Sequence, residues 1–307
     1  MSARVNRIWI IGAGAVGSAL AALIERGGGE GKTCLVGRSP HWRAVREAGL
    51  VFQTGADPPA RLKIDTTMLE NLPQFTAGDL LLLTGKLRQL DESAAALTGR
   101  LHSETRIIAL QNGLEVDQLV AARLERSIGR GLILFGARIT EPGCVRYFPG
   151  VVRLKPSAAT EALAACLEAS ELPYQMVSDF LRAEWRKLAI NCLANPLAGI
   201  LNTDNEHVGH PVLDPIKDAI LQEVQAVARA EGAEVTLSVE KFNHYLSGPT
   251  GGNHPSLCTD LDRGAPTEIG FLNGAVVERG RKHGIPTPVN ASVVSLVRFL
   301  EEGRSLP

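Results

Sequence analysis

The chain has 307 residues, enough for two domains of ordinary size with a core each. Apolar residues make up 45% and charged ones 21%, the balance of a soluble globular protein. A formal net charge of −1 gives no excess of either sign to attract nucleic acid or an anionic membrane, and no apolar run approaches the roughly 18 residues of a membrane span.

MSARVNRIWIIGAG enters a strand pattern directly, without the apolar core and cleavage site of a signal peptide. RIWIIGAG reads as a buried strand, AVGSALAALIERGG as a small-residue helix, TCLVGR as a second strand and HWRAVREAG as a basic helix. The weaker strands LVFQTG and ARLKID follow, then the very apolar strand DLLLLTGK, helix QLDESAAALTGRL, strand TRIIALQNG, helix VDQLVAARL and strand GRGLILFGARI. Strands alternating with helices imply parallel βαβ units and a doubly wound α/β sheet. An antiparallel-looking stretch, CVRYFPGVVRLKP, and helix ATEALAACLEASE complete this half. After about Asp179 the pattern is helical to the end, so the domain boundary falls at 178–182, giving domains 1–180 and 181–307.

Five cysteines (34, 144, 166, 192 and 258) are scattered and form no C-x-x-C pair. They fit reduced thiols in a cytoplasmic protein and point to no disulfide framework and no metal site. His207 and His210, in HVGH, read as a surface loop.

Gly12-Ala13-Gly14-Ala15-Val16-Gly17 is G-x-G-x-x-G between a strand and a helix. Gly12 permits the tight turn, Gly14 lets the backbone approach a pyrophosphate, and Gly17 lets the helix close on the strand. The helix N-terminus adds amide donors and a partial positive charge. About 20 residues on, an NAD site places an acid for the ribose hydroxyls and an NADP site an arginine for the 2′-phosphate. Here the strand ends in Arg38 with no acid, and His41 and Arg43 follow as further basic neighbours, so NADP(H) is expected. GGGEGKT at 27–33 is a turn, because a P-loop would need glycine where Arg26 stands.

Lys86 and Asn112-Gly113 end two further strands, where ligands of such sheets bind. In WRKLAINCLANPL, Lys187, Asn191 and Asn195 are spaced by four residues, each step drifting only about 40° around a helix that stops at Pro196. A carbonyl reduction needs a proton donor beside the developing alkoxide. A lysine in a partly desolvated cleft supplies that proton, with its pKa lowered toward a useful range, while amides hold substrate oxygens. A solvated stripe would carry Glu, Lys or Arg, since asparagine is a poor helix residue. Asn253 and Ser256 lie ahead of another helix, and Glu268 lies at a helix entry, where it could equally be an acid near the helix dipole. Asp260 and Asp262 read as capping or surface groups.

GAGAVG, the strand-end Lys86, QNG at 111–113, WRKLAINCLANPL, SLCTDLDRGAPTEI and LNGAVVERGRKHGIPTPVN together resemble the ketopantoate reductase (2-dehydropantoate 2-reductase) family over nearly the whole chain. The resemblance implies a Rossmann-type domain followed by an all-helical domain of the 6-phosphogluconate dehydrogenase C-terminal type, with a cleft between them. It implies NADPH-dependent reduction of 2-dehydropantoate to pantoate on the way to pantothenate and coenzyme A. Lys187 takes the place of the family's proton donor, and Asn112 of a residue shared by nicotinamide and substrate. Lys86 is similar to a cleft lysine contacting cofactor or substrate. Asn191, Asn195, Asn205, Asn253 and Ser256 fall where the family binds substrate, and Glu268 matches the acid near cofactor and substrate hydroxyl. The partner expected is a small-molecule 2-oxo acid, and a homodimer is compatible with the family. Gly270, Leu257 and Ala265 depart from the family's usual acid, Met and Arg. They leave the reaction class standing and open the exact substrate, with a paralogue reducing another branched 2-oxo acid as the alternative. Two further readings compete: a dehydrogenase of the wider 6-phosphogluconate or opine type acting on another acid, and a non-catalytic NADP-sensing protein on the same fold.

Overall fold

A computed structural model describes residues 5–28, 31–55, 57–248 and 254–303. The chain divides into two compact units: residues 1–111 with 115–178, and residues 112–114 with 179–307.

The first unit holds β1 (Arg7–Ile11), α1 (Ala15–Arg26), β2 (Thr33–Val36), α2 (Pro40–Ala48), β3 (Leu50–Thr54), β4 (Ala60–Leu62), β5 (Asp65–Thr67) and β6 (Asp79–Leu83). It continues through α3 (Leu90–Leu97), β7 (Arg106–Ala109), α4 (Val116–Leu124), β8 (Gly129–Glu141), β9 (Cys144–Leu154), α5 (Ala158–Leu167) and β10 (Tyr174–Met176). Strands β5-β2-β1-β6-β7-β8 are parallel neighbours in that order. The chain direction across the sheet reverses between β1 and β6, the switch point where such sheets take ligands.

The continuous apolar runs have a simple cause. Successive strand residues point to opposite faces, and both faces are covered. In β1, Ile8 and Ile10 enter one core with Leu20 and Leu23 of α1, while Trp9 and Ile11 enter another with Leu90 and Leu97 of α3. Leu80 and Leu82 of β6 split from Leu81 and Leu83 in the same way.

Beyond β8 the sheet turns mixed: β9 runs antiparallel to β8, then pairs in parallel with β3, which pairs antiparallel with β4. The expected strand ARLKID is therefore two. Ala60–Leu62 lies beside β3 at one margin, and Asp65–Thr67 lies beside β2 at the other.

The second unit is helical: α6 (Phe180–Leu201), α7 (Asn205–Val208), α8 (Asp214–Ala230), α9 (Val239–Leu246), α10 (Ser256–Asp262), α11 (Asn273–Lys282) and α12 (Pro288–Gly303). Its core gathers Trp185, Leu188, Cys192 and Leu193 of α6 with Ile220 and Val224 of α8, Phe242 of α9, Leu257 and Leu261 of α10, and Val293 and Val297 of α12. Fifteen of the 22 residues of α6 are buried, so this helix is the spine of the unit.

The helix does not stop at Pro196 as the sequence suggested; it runs on to Leu201. Proline removes the N–H that would bond the carbonyl four residues back, here Cys192. The side-chain Nδ2 of Asn273 donates to that carbonyl at 3.1 Å and so stands in for the missing donor. Asn273 in turn bonds Asn290, and Asn290 bonds Glu223 of α8. The Glu223 carboxylate also accepts from the backbone N–H of Val289 and Asn290, satisfying first-turn donors of α12.

Candidate active site

Each unit holds its own set of candidate groups. In the first, Gly12 ends β1 at φ +123°, and a Cβ there would lie 2.3 Å from the Gly85 nitrogen. The Thr84 and Gly85 N–H groups both reach the Ile11 carbonyl, at 2.9 and 3.0 Å, and the Thr84 hydroxyl donates to the Gly12 carbonyl at 2.9 Å. The ends of β1 and β6 are thus sewn together at the switch point. Gly17 is equally confined, since a Cβ would come 2.2 Å from the Gly12 carbonyl oxygen. Gly14 is the opposite case: it is exposed, and nothing lies within 4 Å of a Cβ built on it. It is the N-cap of α1 and makes no side-chain cap, which leaves the first N–H groups of the helix for a ligand. Ala13 is buried, and Ala15 and Val16 are half-buried.

Arg38 is exposed and gripped by Glu92 of α3 through two bonds, at 2.8 and 3.1 Å. His41 proves not to be a basic neighbour. It is buried, its Nδ1 accepts the Gly143 N–H at 3.1 Å, and its Nε2 meets the Ser18 hydroxyl at 2.9 Å. A ring nitrogen that accepts from a backbone amide carries no proton, so the ring is the neutral tautomer that donates from Nε2. Lys86 is half-buried directly after Gly85.

Arg130 of β8 is fully buried, and its Nη1 donates to the carbonyls of Ala109, Gln111 and Gly131 at 3.0, 3.1 and 2.7 Å. It pins the end of β7 just before Asn112.

In the second unit, Lys187 is 8% exposed and Asn195 9%, with Asn191 half-buried between them. A solvated stripe would not be closed to water in this way. Asn112 belongs to this same unit and is half-buried, followed by Gly113 at φ +119°. Asn205 is buried at the first position of α7, and Ser256 is exposed at the first position of α10. Asn253 lies outside the described residues. Glu268 is half-buried ahead of a single 3-10 turn, Ile269–Phe271, and the helix once expected from there begins only at Asn273.

His254 stands between two carboxylates, with Nδ1 2.7 Å from Asp204 and Nε2 3.2 Å from Asp262. It ties the segment before Ser256 to the residue before Asn205. Asp262 therefore braces His254, while Asp260 is buried.

Residues 8–156 match the family model for ketopantoate reductase PanE/ApbA, and residues 179–301 match that for ketopantoate reductase PanE/ApbA C terminal. The 2-dehydropantoate 2-reductase of Halobacterium salinarum is 30% identical over 305 residues, spanning 96% of this chain and 99% of that one. The chain belongs to the ketopantoate reductase family. As a member of the ketopantoate reductases it is an oxidoreductase. The PanE/ApbA family ketopantoate reductase from Ralstonia eutropha JMP134 has the same fold, with TM-score 0.85 and 27% identity over 98% of this chain and 100% of that one. The ternary structure of D-mandelate dehydrogenase with NADH and anilino(oxo)acetate shares it too, with TM-score 0.86 and 24% identity over 98% and 100% of the two chains.

Two departures from the usual ketopantoate reductase pattern have a structural meaning. Leu257 is 2% exposed and packs on α6 where a Gly199 side chain would otherwise stand, and Gly270 is exposed with open space around it. Sequence reasoning missed Arg130 and Asn273. The second left a signal: a proline inside a helix requires a donor from elsewhere for the carbonyl four residues earlier.

Proposed function

We propose that this chain reduces 2-dehydropantoate to pantoate with NADPH, Lys187 giving the proton, as a step toward pantothenate and coenzyme A. The observation that carries this is the burial of Lys187, on one helix stripe with Asn191 and Asn195, in a ketopantoate reductase family chain. When bound, the dinucleotide supplies the hydride that reaches the carbonyl carbon. The first unit fits such a group, because the space over Gly14 is open and the first turn of α1 has no side-chain cap.

The chain's own residues do the rest. The loop Gly12-Ala13-Gly14-Ala15-Val16-Gly17 and the amides of α1 bind pyrophosphate. Arg38 recognises the 2′-phosphate; leaving Glu92 costs it little, since an exposed ion pair contributes roughly 0–1 kcal/mol. Lys86, Asn112 and Glu268 hold cofactor groups, Asn112 being shared with the substrate. Asn191, Asn195, Asn205, Asn253 and Ser256 orient the oxygens of the 2-oxo acid. The Lys187 ammonium stabilises the oxygen as charge develops on it and then transfers a proton to it.

The test is ketopantoate-dependent oxidation of NADPH by the native protein and by Lys187→Ala. A positioned acid contributes roughly 10²–10⁴-fold, and a loss of kcat of about that size is expected. Comparable rates would remove the assignment. Preferential turnover of another branched 2-oxo acid, still dependent on Lys187, would change the substrate and keep the reaction class.

A further inference from the structure

We propose that Asn273, on α11, is a positioning residue for the substrate-binding stripe of α6, acting through the carbonyl that Pro196 leaves without a helical donor. The inference rests on the proposed role of Asn191 and Asn195.

Cys192 follows Asn191 directly and lies one turn before Pro196. In an unbroken helix its carbonyl would accept the N–H of residue 196 and so hold the turn that carries Asn195. Pro196 has no such N–H. Asn273 is fully buried and donates to that oxygen at 3.1 Å across 81 residues of sequence.

The direction of this bond is dictated from the far end of the network. The Glu223 carboxylate accepts the backbone N–H of both Val289 and Asn290, which fixes its place at the start of α12. An ionised carboxylate only accepts, so Asn290 must turn its Nδ2 toward it, at 2.7 Å. The Asn290 Oδ1 then faces Asn273 and takes one of its two amide hydrogens at 2.9 Å. The other hydrogen is directed to Cys192. No member can flip without setting two donors or two acceptors against each other.

Three helices thereby fix the pitch of α6 at the one turn where its own ladder is broken. That turn separates Asn191 from Asn195, so a slip there would splay the two amides that hold the 2-oxo acid. Proline in this place makes the stripe adjustable from outside the helix, and Asn273 makes the adjustment.

The test uses the full-length protein, with Asn273→Leu, Pro196→Ala, the two combined, and Asn195→Ala as the control for the stripe. Asn273→Leu keeps the branching and heavy-atom count of the side chain and removes the donor. It should raise KM for ketopantoate about tenfold while KM for the nicotinamide cofactor stays unchanged, as expected when only one substrate's alignment is lost. A merely structural role would lower the active fraction and hence apparent kcat, leaving both KM values alone. Pro196→Ala returns the helix its own donor, so the double variant should recover a ketopantoate KM within about threefold of Pro196→Ala itself.

Asn195→Ala raising KM while a folded Asn273→Leu leaves it unchanged would overturn the inference alone. So would failure of Pro196→Ala to rescue. Should Asn273→Leu not fold, the double variant decides: folding with the restored KM supports the inference, and failure to fold overturns it. Asn195→Ala with an unchanged ketopantoate KM would remove the stripe's proposed role, and this inference with it.

Discussion

Replacing Gly12 or Gly14 by alanine adds the same methyl group to the same loop, two residues apart, with opposite expected results. At Gly12 the backbone has φ +123°, and the new carbon would lie 2.3 Å from the Gly85 nitrogen and 2.6 Å from its Cα. Both neighbours are backbone of β6's end, held by the bonds of Thr84 and Gly85 to the Ile11 carbonyl. A side chain in disfavoured φ/ψ costs roughly 1–3 kcal/mol, and overpacking roughly 1–3 kcal/mol more. Gly12→Ala should therefore lose about 2–6 kcal/mol, a large part of the roughly 5–15 kcal/mol that holds a domain folded.

Gly14 has φ −95° and ψ −171°, extended backbone that alanine adopts freely, with empty space around it. Alanine is a poorer N-cap than glycine by several tenths of a kcal/mol or so, while restricting the unfolded chain returns about 0.4–1 kcal/mol. Its stability should stay within about 1 kcal/mol of the native protein. The methyl would occupy the space proposed for the pyrophosphate, so NADPH affinity should fall about tenfold or more, equivalent to about 1.4 kcal/mol. Urea denaturation and fluorescence titration with NADPH measure the two effects separately. Native-like NADPH binding by Gly14→Ala, or native-like stability of Gly12→Ala, would refute the reasoning.

Arg38→Ala should raise KM for NADPH by about 10–100-fold, the size of a lost charge-assisted bond, and leave KM for NADH nearly unchanged; equal changes for both would exclude contact with the 2′-phosphate. Glu231 supplies a pH-dependent prediction. Partial burial pushes its carboxyl up, but the bond to His283 at 2.6 Å and the charges of Arg279 and Lys282 outweigh this and hold it below the usual carboxylate range. A depressed carboxylate contributes stability above its unfolded pKa of about 4.3, and that contribution is lost as pH falls through the lower folded value. Thermal unfolding from about pH 6 to pH 3 should accordingly show the native protein's advantage over Glu231→Gln shrinking on acidification; a constant gap would contradict the assignment.

The parts of the fold that were legible in the sequence are those whose cause is local. Apolar runs such as DLLLL mark strands covered on both faces, and the glycine spacing after β1 marks a turn too tight for side chains. The Lys187–Asn191–Asn195 stripe was legible because helical spacing puts these groups together without help from elsewhere. What could not be read depends on distant partners. LVFQT is half-buried and short, and its place was set by pairing with β9, some ninety residues on. ARLKID divided because its two ends pair with strands at opposite margins. Pro196 looked like a terminus since the replacement donor lies in another helix, and Arg130, inside the expected strand GRGLILFGARI, carried no local sign of the three carbonyls it binds. His41 looked basic for the same reason: its neutral form follows from a backbone amide 102 residues away.

Among the described residues the sheet has three margin strands, β4 and β5 at the ends of the strand order and β10 beside β9, and all are three residues long. β4 and β5 also carry a charge engaged on the same chain: the Arg61 guanidinium donates to the Ala48 carbonyl at 2.5 Å, and Asp65 pairs with Arg7 at 2.7 Å. A long, flat, apolar margin is a template on which a second molecule can add its own strand. These margins offer only a few unpaired peptide groups, so cross-molecule strand addition gains little, and at β4 and β5 it must also desolvate charge. A ten-stranded sheet thereby stays protected from growing into an aggregate. Any self-association of this chain should accordingly be built from helical faces rather than by extending the sheet.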